Sequence, residues 1–378
     1  MTYPRPPIPL PLELDDLRAG CRLFGEKVFR VALLIPLCGS AGIWAPSCIS
    51  SAQVAVEELN EQGGILGQRV ELIMIDAAME ATEPLEVIIN DLIERQQIDA
   101  IVGMHISAIR QRLSKVVRQR IPYVYTPLYE GGETTSGLFA IGETPQEQLV
   151  PALNALQAQY RPRKWAMIGN DYVWPRSSHS YAKAQLRQAG ASVVMDTYVP
   201  FGFRNMTRLV EDLAASGADA LLLSLVGQDA VTFNRVFGQA GLHHKMIRLS
   251  CAMEENGLLA SGAANLERLF TASSYFGVLP TEANSAFKER YHALHGDAAP
   301  VLNALGQSTY EGVHFLAGLM RGHHDCWQVK CTQDLLPVRY RSGRLNGPAT
   351  SENRKPIYLA RADGLQFHIM KEFKNKAL

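Results

Sequence analysis

The residues best placed for chemistry stand at Trp165–Arg176, Trp-Ala-Met-Ile-Gly-Asn-Asp-Tyr-Val-Trp-Pro-Arg. A short apolar strand, 165–168, runs into Gly169 and a loop carrying Asp171, Tyr172, Trp174 and Arg176. Large aromatics and charges just past the carboxyl end of a strand suit ligand binding, because an open parallel sheet binds ligands there. A connector would be small and polar. Two stretches repeat the arrangement. In Gly103-Met-His-Ile-Ser107, Ser107 stands where a helix N-cap belongs. Its hydroxyl and the free N–H groups of the helix start could take a carbonyl or carboxylate oxygen; the competing reading is a plain cap. In Tyr123–Gly131, Tyr125 ends a strand and is expected across the cleft mouth, the competing reading being a core tyrosine. Tyr172 and Trp174 read either as ligand walls or as loop packing. Thr126, Val226, Gln228, Glu254 and Tyr275 are further strand-end candidates.

Other chemistries lack a motif. The chain has no Gly-x-Ser-x-Gly elbow, His-Glu-x-x-His, phosphate-binding Gly-Lys loop or Gly-x-Gly-x-x-Gly fingerprint. Catalytic triads are recognised by geometry, so an enzyme is disfavoured by these absences without being excluded. The six cysteines form no Cys-x-x-Cys pair and read as reduced, mostly buried thiols. His323-His324-Asp325-Cys326 has no zinc spacing and reads as a polar turn, and His243-His244 reads as surface. No metal and no cofactor is expected.

The elements that position these residues alternate. Apolar runs at 28–36, 70–75, 100–104 and 122–126 are separated by helical spacing at 49–60, 84–94 and 108–118. The pattern restarts, with helices at 148–160, 178–189, 206–216 and 230–238 between strands at 165–168, 192–199, 218–224, 246–250 and 269–273. Long helices follow at 284–295 and 303–321, then strands at 357–360 and 365–370. This βαβ repetition predicts an α/β protein with two doubly wound parallel-sheet lobes joined by a multi-strand hinge. The expected division is a Pro-rich extension at 1–27, a first lobe of 28–145 plus about 277–335, and a second of 146–276 plus about 336–374. A cleft between lobes is a common small-molecule site.

With 378 residues, 47% apolar content and 37 basic against 37 acidic residues, the chain can bury an ample core and is not a general nucleic-acid binder. No stretch reaches membrane-spanning length without charges. The amino terminus has no basic start and carries acids where a signal core should be, so a cytoplasmic location is expected. A misassigned start codon would make it periplasmic. The leader suggests either disorder or packing on a second subunit of a homo-oligomer.

At Asn170–Arg176, Tyr129-Glu-Gly131 and Gly103-x-x-x-Ser107 the chain resembles the type I periplasmic-binding-protein fold, closest to its amide- and urea-binding subgroup. Asn60–Gly67 resembles the helix-to-strand turn of the wider branched-chain amino-acid binder superfamily. The resemblance covers about 28–373. It implies a ligand pocket with Ser107, Tyr125 and Tyr172; His105, Trp174 and the strand-end residues Thr126, Val226, Glu254 and Tyr275 are the further ligand-binding candidates. His105 and Trp174 stand where the subgroup's amide sensor carries tyrosines, and Pro127-Leu128 where it carries Thr-Pro. Trp174 is larger than tyrosine and lacks the hydroxyl, so an aromatic amide, a nitrile or another acyl group fits as well as acetamide. The function implied is a cytoplasmic sensor of a small amide, nitrile or urea-like ligand. It would negatively regulate an amidase- or nitrile-type operon by holding an RNA-binding antiterminator partner. The alternative is the substrate-binding component of an ABC importer for urea, short amides or branched-chain amino acids.

Overall fold

The structure, a computed structural model, describes residues 28–79, 83–334, 336–346, 349–351 and 355–374. The Pro-rich leader and Cys21 lie outside the described residues.

Strand β1 (Val28–Ile35) is buried from Phe29 onward, as a strand covered on both faces must be. It pairs in parallel with β2 (Arg69–Asp76) and β3 (Ala100–Gly103), and β4 (Tyr123–Tyr125) and β5 (Leu138–Ala140) continue the sheet in the order β2-β1-β3-β4-β5. Helices α1 (Ala45–Glu61), α2 (Leu85–Glu94) and α3 (Ser107–Val117) connect the first four strands. In α1, Cys48, Ala52, Ala55 and Leu59 recur at helical spacing and are buried.

The second set begins at α4 (Pro145–Tyr160), started by a reciprocal capping box between Thr144 and Glu147. It continues through β6 (Lys164–Asn170), α5 (Val173–Gln188), β7 (Ser192–Val199), α6 (Met206–Ala215), β8 (Ala220–Ser224), α7 (Gly227–Gln239), β9 (Ile247–Ser250), α8 (Glu255–Ser261) and β10 (Leu269–Ser273). The chain then returns to the first sheet with α9 (Glu282–His295) and α10 (Ala304–His323). Gly306 lets α10 lie close on α1, because a Cβ there would fall 2.3 Å from the Ser47 hydroxyl oxygen. The small ribbon of β11 (Arg339–Tyr340) and β12 (Ala349–Thr350) also packs beside α10.

Strands β13 (Ile357–Asp363) and β14 (Gln366–Phe373) complete the second sheet, in the order β14-β13-β10-β9-β8-β6-β7. The strands from β1 to β10 pair in parallel, as the βα repetition predicts. The last two strands are antiparallel to each other, and β13 is antiparallel to β10. The cause is local: only Gly364 and Leu365 separate them, with Gly364 at φ +64°, and a two-residue turn joins antiparallel neighbours only.

The chain crosses between the sheets after β5, after β10 and after β12. One buried ion network touches all three crossings. The Arg344 guanidinium pairs with Glu143 at 2.9 Å and Glu311 at 3.2 Å, and bonds the Ser274 hydroxyl. The Lys355 ammonium reaches Glu311 at 2.8 Å and the Ile141 carbonyl at 3.1 Å.

Candidate functional site

The two lobes meet along the carboxyl ends of their strands. Backbone N–H of Gln228, at the start of α7, donates to the Ser40 carbonyl at 2.7 Å. The Asn256 amide on α8 donates to the Ile43 carbonyl at 2.8 Å, and the Trp44 indole N–H to the Glu254 carboxylate at 3.1 Å. These bonds hold the 40–44 segment of the first lobe against α7 and α8 of the second. Beneath them is a small cavity of about 20 Å³, little more than the space one water needs and well below the ~300–1,000 Å³ of an open small-molecule site. Hollows of about 200 and 470 Å³ lie elsewhere. Volume does not rank these sites, because the cleft is small for the reason that its lobes are closed.

His105, Ser107, Tyr125, Tyr172, Trp174, Val226 and Glu254 all line this cavity, with Trp44, Leu128, Ala252 and Leu305. Thr126 and Tyr275 do not. They line an adjoining hollow of about 20 Å³ that shares Pro127, Leu128, Glu254 and Leu305 with the first. The Thr126 hydroxyl is turned to the Gly103 carbonyl at 3.3 Å, and the Tyr275 hydroxyl donates to Asn284 at 2.7 Å.

Ser107 is the first residue of α3, with Ile106 in the cap position and no side-chain cap. The N-cap role read from the sequence is therefore replaced by a different one. The Ser107 oxygen accepts from Arg110 at 3.4 Å and lies 3.4 Å from the Tyr125 hydroxyl. The Tyr125 hydroxyl donates to the His105 carbonyl at 2.7 Å. The Ser107 proton is thus available to a neighbouring oxygen, Tyr125 or a ligand carbonyl. Arg110 is itself buried between Glu130 at 2.6 Å and Glu133 at 2.8 Å, which keeps its charge out of the cavity.

His105 contributes a ring and no free nitrogen. Nδ1 lies 3.1 Å from the Ile106 carbonyl and Nε2 2.7 Å from the Tyr123 hydroxyl. The ring is neutral, because burial pushes its pKa down to about 3. Nδ1–H then donates to the carbonyl, and Nε2 accepts from the phenol.

The opening motif also changes character. Helix α5 begins at Val173 with Tyr172 at its N-cap, so Trp174 and Arg176 lie in the first helical turn and not in a loop. A Cβ at Gly169 would fall 2.8 Å from the Pro175 Cβ, so glycine is what lets this turn fold back over the strand end. Tyr172 stands 6.4 Å from Trp174 and 5.3 Å from Phe201, centroid to centroid. Asp171 and Arg176 pair with each other at 2.6 Å on the surface.

The cavity lining contains Glu254 and no lysine or arginine. Burial, against the Trp44 hydrogen bond, pushes the Glu254 carboxyl up to about 7. Glu255 next door is also raised by burial to about 7. Ser107 at the start of α3, the Tyr172 N-cap of α5 and the Val226 N-cap of α7 all line the cavity, and the positive end of a helix favours a ligand oxygen. One wall therefore takes N–H donors or a cation, and the other takes oxygen. Trp44 escaped the sequence reading, although it obeys the same rule of an aromatic beyond a strand end.

One arrangement elsewhere resembles catalytic machinery. His179 bonds Asp196 through Nδ1 at 2.7 Å and Ser224 through Nε2 at 3.2 Å. Ser224 and His179 are buried, and Ser224 lines neither cleft hollow. A nucleophile without substrate access has no reaction to perform. His243, His244 and Glu267 bring three potential metal ligands together, but Lys245, Arg248 and Arg268 adjoin them and oppose a cation. His243 is buried, unlike its surface reading. Among the described residues no helix is long and apolar enough to cross a membrane.

A family profile described as "Periplasmic binding protein" matches residues 28–352. The "Leu/Ile/Val-binding protein homolog 7" of Brucella abortus (strain 2308) is 25% identical over 245 residues, 61% of this chain and 60% of the relative. The chain thus spans less than two thirds of that relative's length. The "Leu/Ile/Val-binding protein homolog 3" of Brucella melitensis is 23% identical over 338 residues, covering 87% and 89% of the two chains. An ABC transporter solute-binding protein from R. palustris, solved with 4-hydroxybenzoate, superposes with a TM-score of 0.77 at 14% identity, over 92% of this chain and 97% of that one. The branched-chain amino acid transporter protein LivJ from Streptococcus pneumoniae, solved with isoleucine, gives 0.74 at 15% identity, over 92% and 100%. These structural likenesses establish the fold.

Proposed function

We propose, for a chain that belongs to the periplasmic binding protein family, that it is the solute receptor of an ABC importer and closes its lobes on a small amino-bearing solute. The observation that carries this is the pairing of Glu254, a buried carboxylate with no lysine or arginine in the lining, with the helix start at Ser107. An α-amino acid satisfies both ends. Its ammonium neutralises Glu254, and its carboxylate takes the Ser107 hydroxyl and the N–H groups of α3. Trp44, Tyr125, Tyr172 and Trp174 then enclose an apolar side chain. The Leu/Ile/Val-binding relatives support a branched side chain. An aryl carboxylate, with no ammonium for Glu254, fits less well. A short amide or urea satisfies the same groups more weakly: with four heavy atoms, acetamide is limited to about −6 kcal/mol, or tens of micromolar.

The regulator reading, with an amide ligand and an antiterminator partner, draws no support from these relatives and ranks below the receptor reading. A calorimetric panel of leucine, isoleucine, valine, acetamide, urea and benzoate tests the proposal. Amino acids binding tightest supports it. Benzoate or acetamide binding tighter than every amino acid overturns it.

A further inference from the structure

On the flank of the first lobe, α1, α9, α10 and the β11 strand surround a groove of about 470 Å³. It shares no lining residue with the cleft. Its charged lining residues are Arg290, Arg321, Arg339 and Arg341, and no carboxylate lines it. Behind its wall, the buried Glu58 accepts from the Tyr310 hydroxyl at 2.7 Å, lies 2.9 Å from His314 Nε2, and pairs with Arg341 at 2.9 Å and with Arg290. One carboxylate is therefore already engaged by two guanidinium groups. Arg321 and Arg339 are exposed and have no ion pair among the described residues. In a chain with 37 basic and 37 acidic residues, this excess is local. Like charges gathered in a concave wall raise the local potential and concentrate counter-ions. Guanidinium groups match the planar, bidentate geometry of phosphate and carboxylate oxygens.

We propose that this groove binds a small multivalent oxyanion, a phosphate-bearing or polycarboxylate molecule, between Arg321, Arg339 and Arg341. The site is independent of the solute cleft. The test titrates the full chain by calorimetry and thermal shift with inorganic phosphate, glucose 6-phosphate and citrate, against sodium chloride at matched ionic strength. A saturable response to any of the three anions beyond that of chloride is expected, and the arms separate phosphate from polycarboxylate. The Arg321→Ala/Arg339→Ala double variant, both side chains being exposed, should fold normally and weaken binding about tenfold or more. Ser107→Ala in the cleft should leave it unchanged. A response no larger than that of chloride, or one that survives the double variant, overturns the proposal.

Discussion

The Trp44 indole nitrogen lies 3.1 Å from the Glu254 carboxylate, and the two residues come from opposite lobes. Trp44 precedes α1 beside the first sheet, and Glu254 caps α8 beside the second. This hydrogen bond thus exists only while the lobes are closed, and it is charge-assisted when a ligand ammonium ionises Glu254. Trp44→Phe keeps most of the apolar wall and removes the donor. Ligand affinity should fall by about 1.5–3 kcal/mol. Calorimetry reads this, and an unchanged Kd would show that the bond contributes nothing to closure.

Glu254 also sets a pH dependence. Its folded pKa is raised to about 7 by burial, against 4.5 ordinarily. The folded protein therefore holds the proton where the unfolded chain has lost it. The stability this group contributes is fully present below about pH 4.5 and is lost as pH rises through about 7. A ligand ammonium favours the ionised carboxylate, so amino-acid affinity should rise across the same window. Titrations at about pH 5.5 and 8 check the sign, and Glu254→Gln should flatten the profile.

Ser107→Ala separates binding from folding. The hydroxyl caps no helix, so the melting temperature should move little. Ligand affinity should drop by about 1 kcal/mol, roughly fivefold. A large loss of stability would return Ser107 to a structural role.

Gly227 offers a steric test of closure. Its φ is +55°, and a Cβ there would lie 2.0 Å from the Ser40 carbonyl oxygen of the other lobe. Gly227→Ala should therefore leave two folded lobes that cannot meet. Small-angle scattering with saturating ligand should show no compaction, where the parent chain compacts. The left-handed backbone itself costs only about 1 kcal/mol.

Arg344 anchors the three crossings. Arg344→Met leaves Glu143 and Glu311 facing each other with Lys355 alone, and removing one partner of a buried pair costs about 3–5 kcal/mol. Urea denaturation should record that loss. A much smaller one would mean that the crossings are held by packing.

Much of the site was legible because strand ends are legible. The apolar runs at 100–104, 122–126, 165–168, 218–224 and 246–250 end at or just before His105, Ser107, Tyr125, Tyr172, Trp174, Val226 and Glu254, and these side chains line one cavity. Trp44 was missed because its segment carries no charge and looks like ordinary helix lead-in. Thr126 and Tyr275 also stand at strand ends, but they line the adjoining hollow and their hydroxyls bond Gly103 and Asn284.

Periodicity and turn chemistry in the sequence alone determined the two βα sets, their shared direction and the aromatic character of the strand ends, because each depends on residues near in the chain. The tertiary structure decided what those residues can do. It used both nitrogens of His105 in hydrogen bonds and released Ser107 from capping. It placed Glu254 without a basic partner opposite Trp44, and joined Glu143, Ser274, Arg344 and Lys355 across three crossings. Donor and acceptor availability, and the pKa of a buried carboxylate, depend on groups far apart in the chain, 210 positions for Trp44 and Glu254 and 214 for Ile141 and Lys355, which only the folded packing brings within bonding distance.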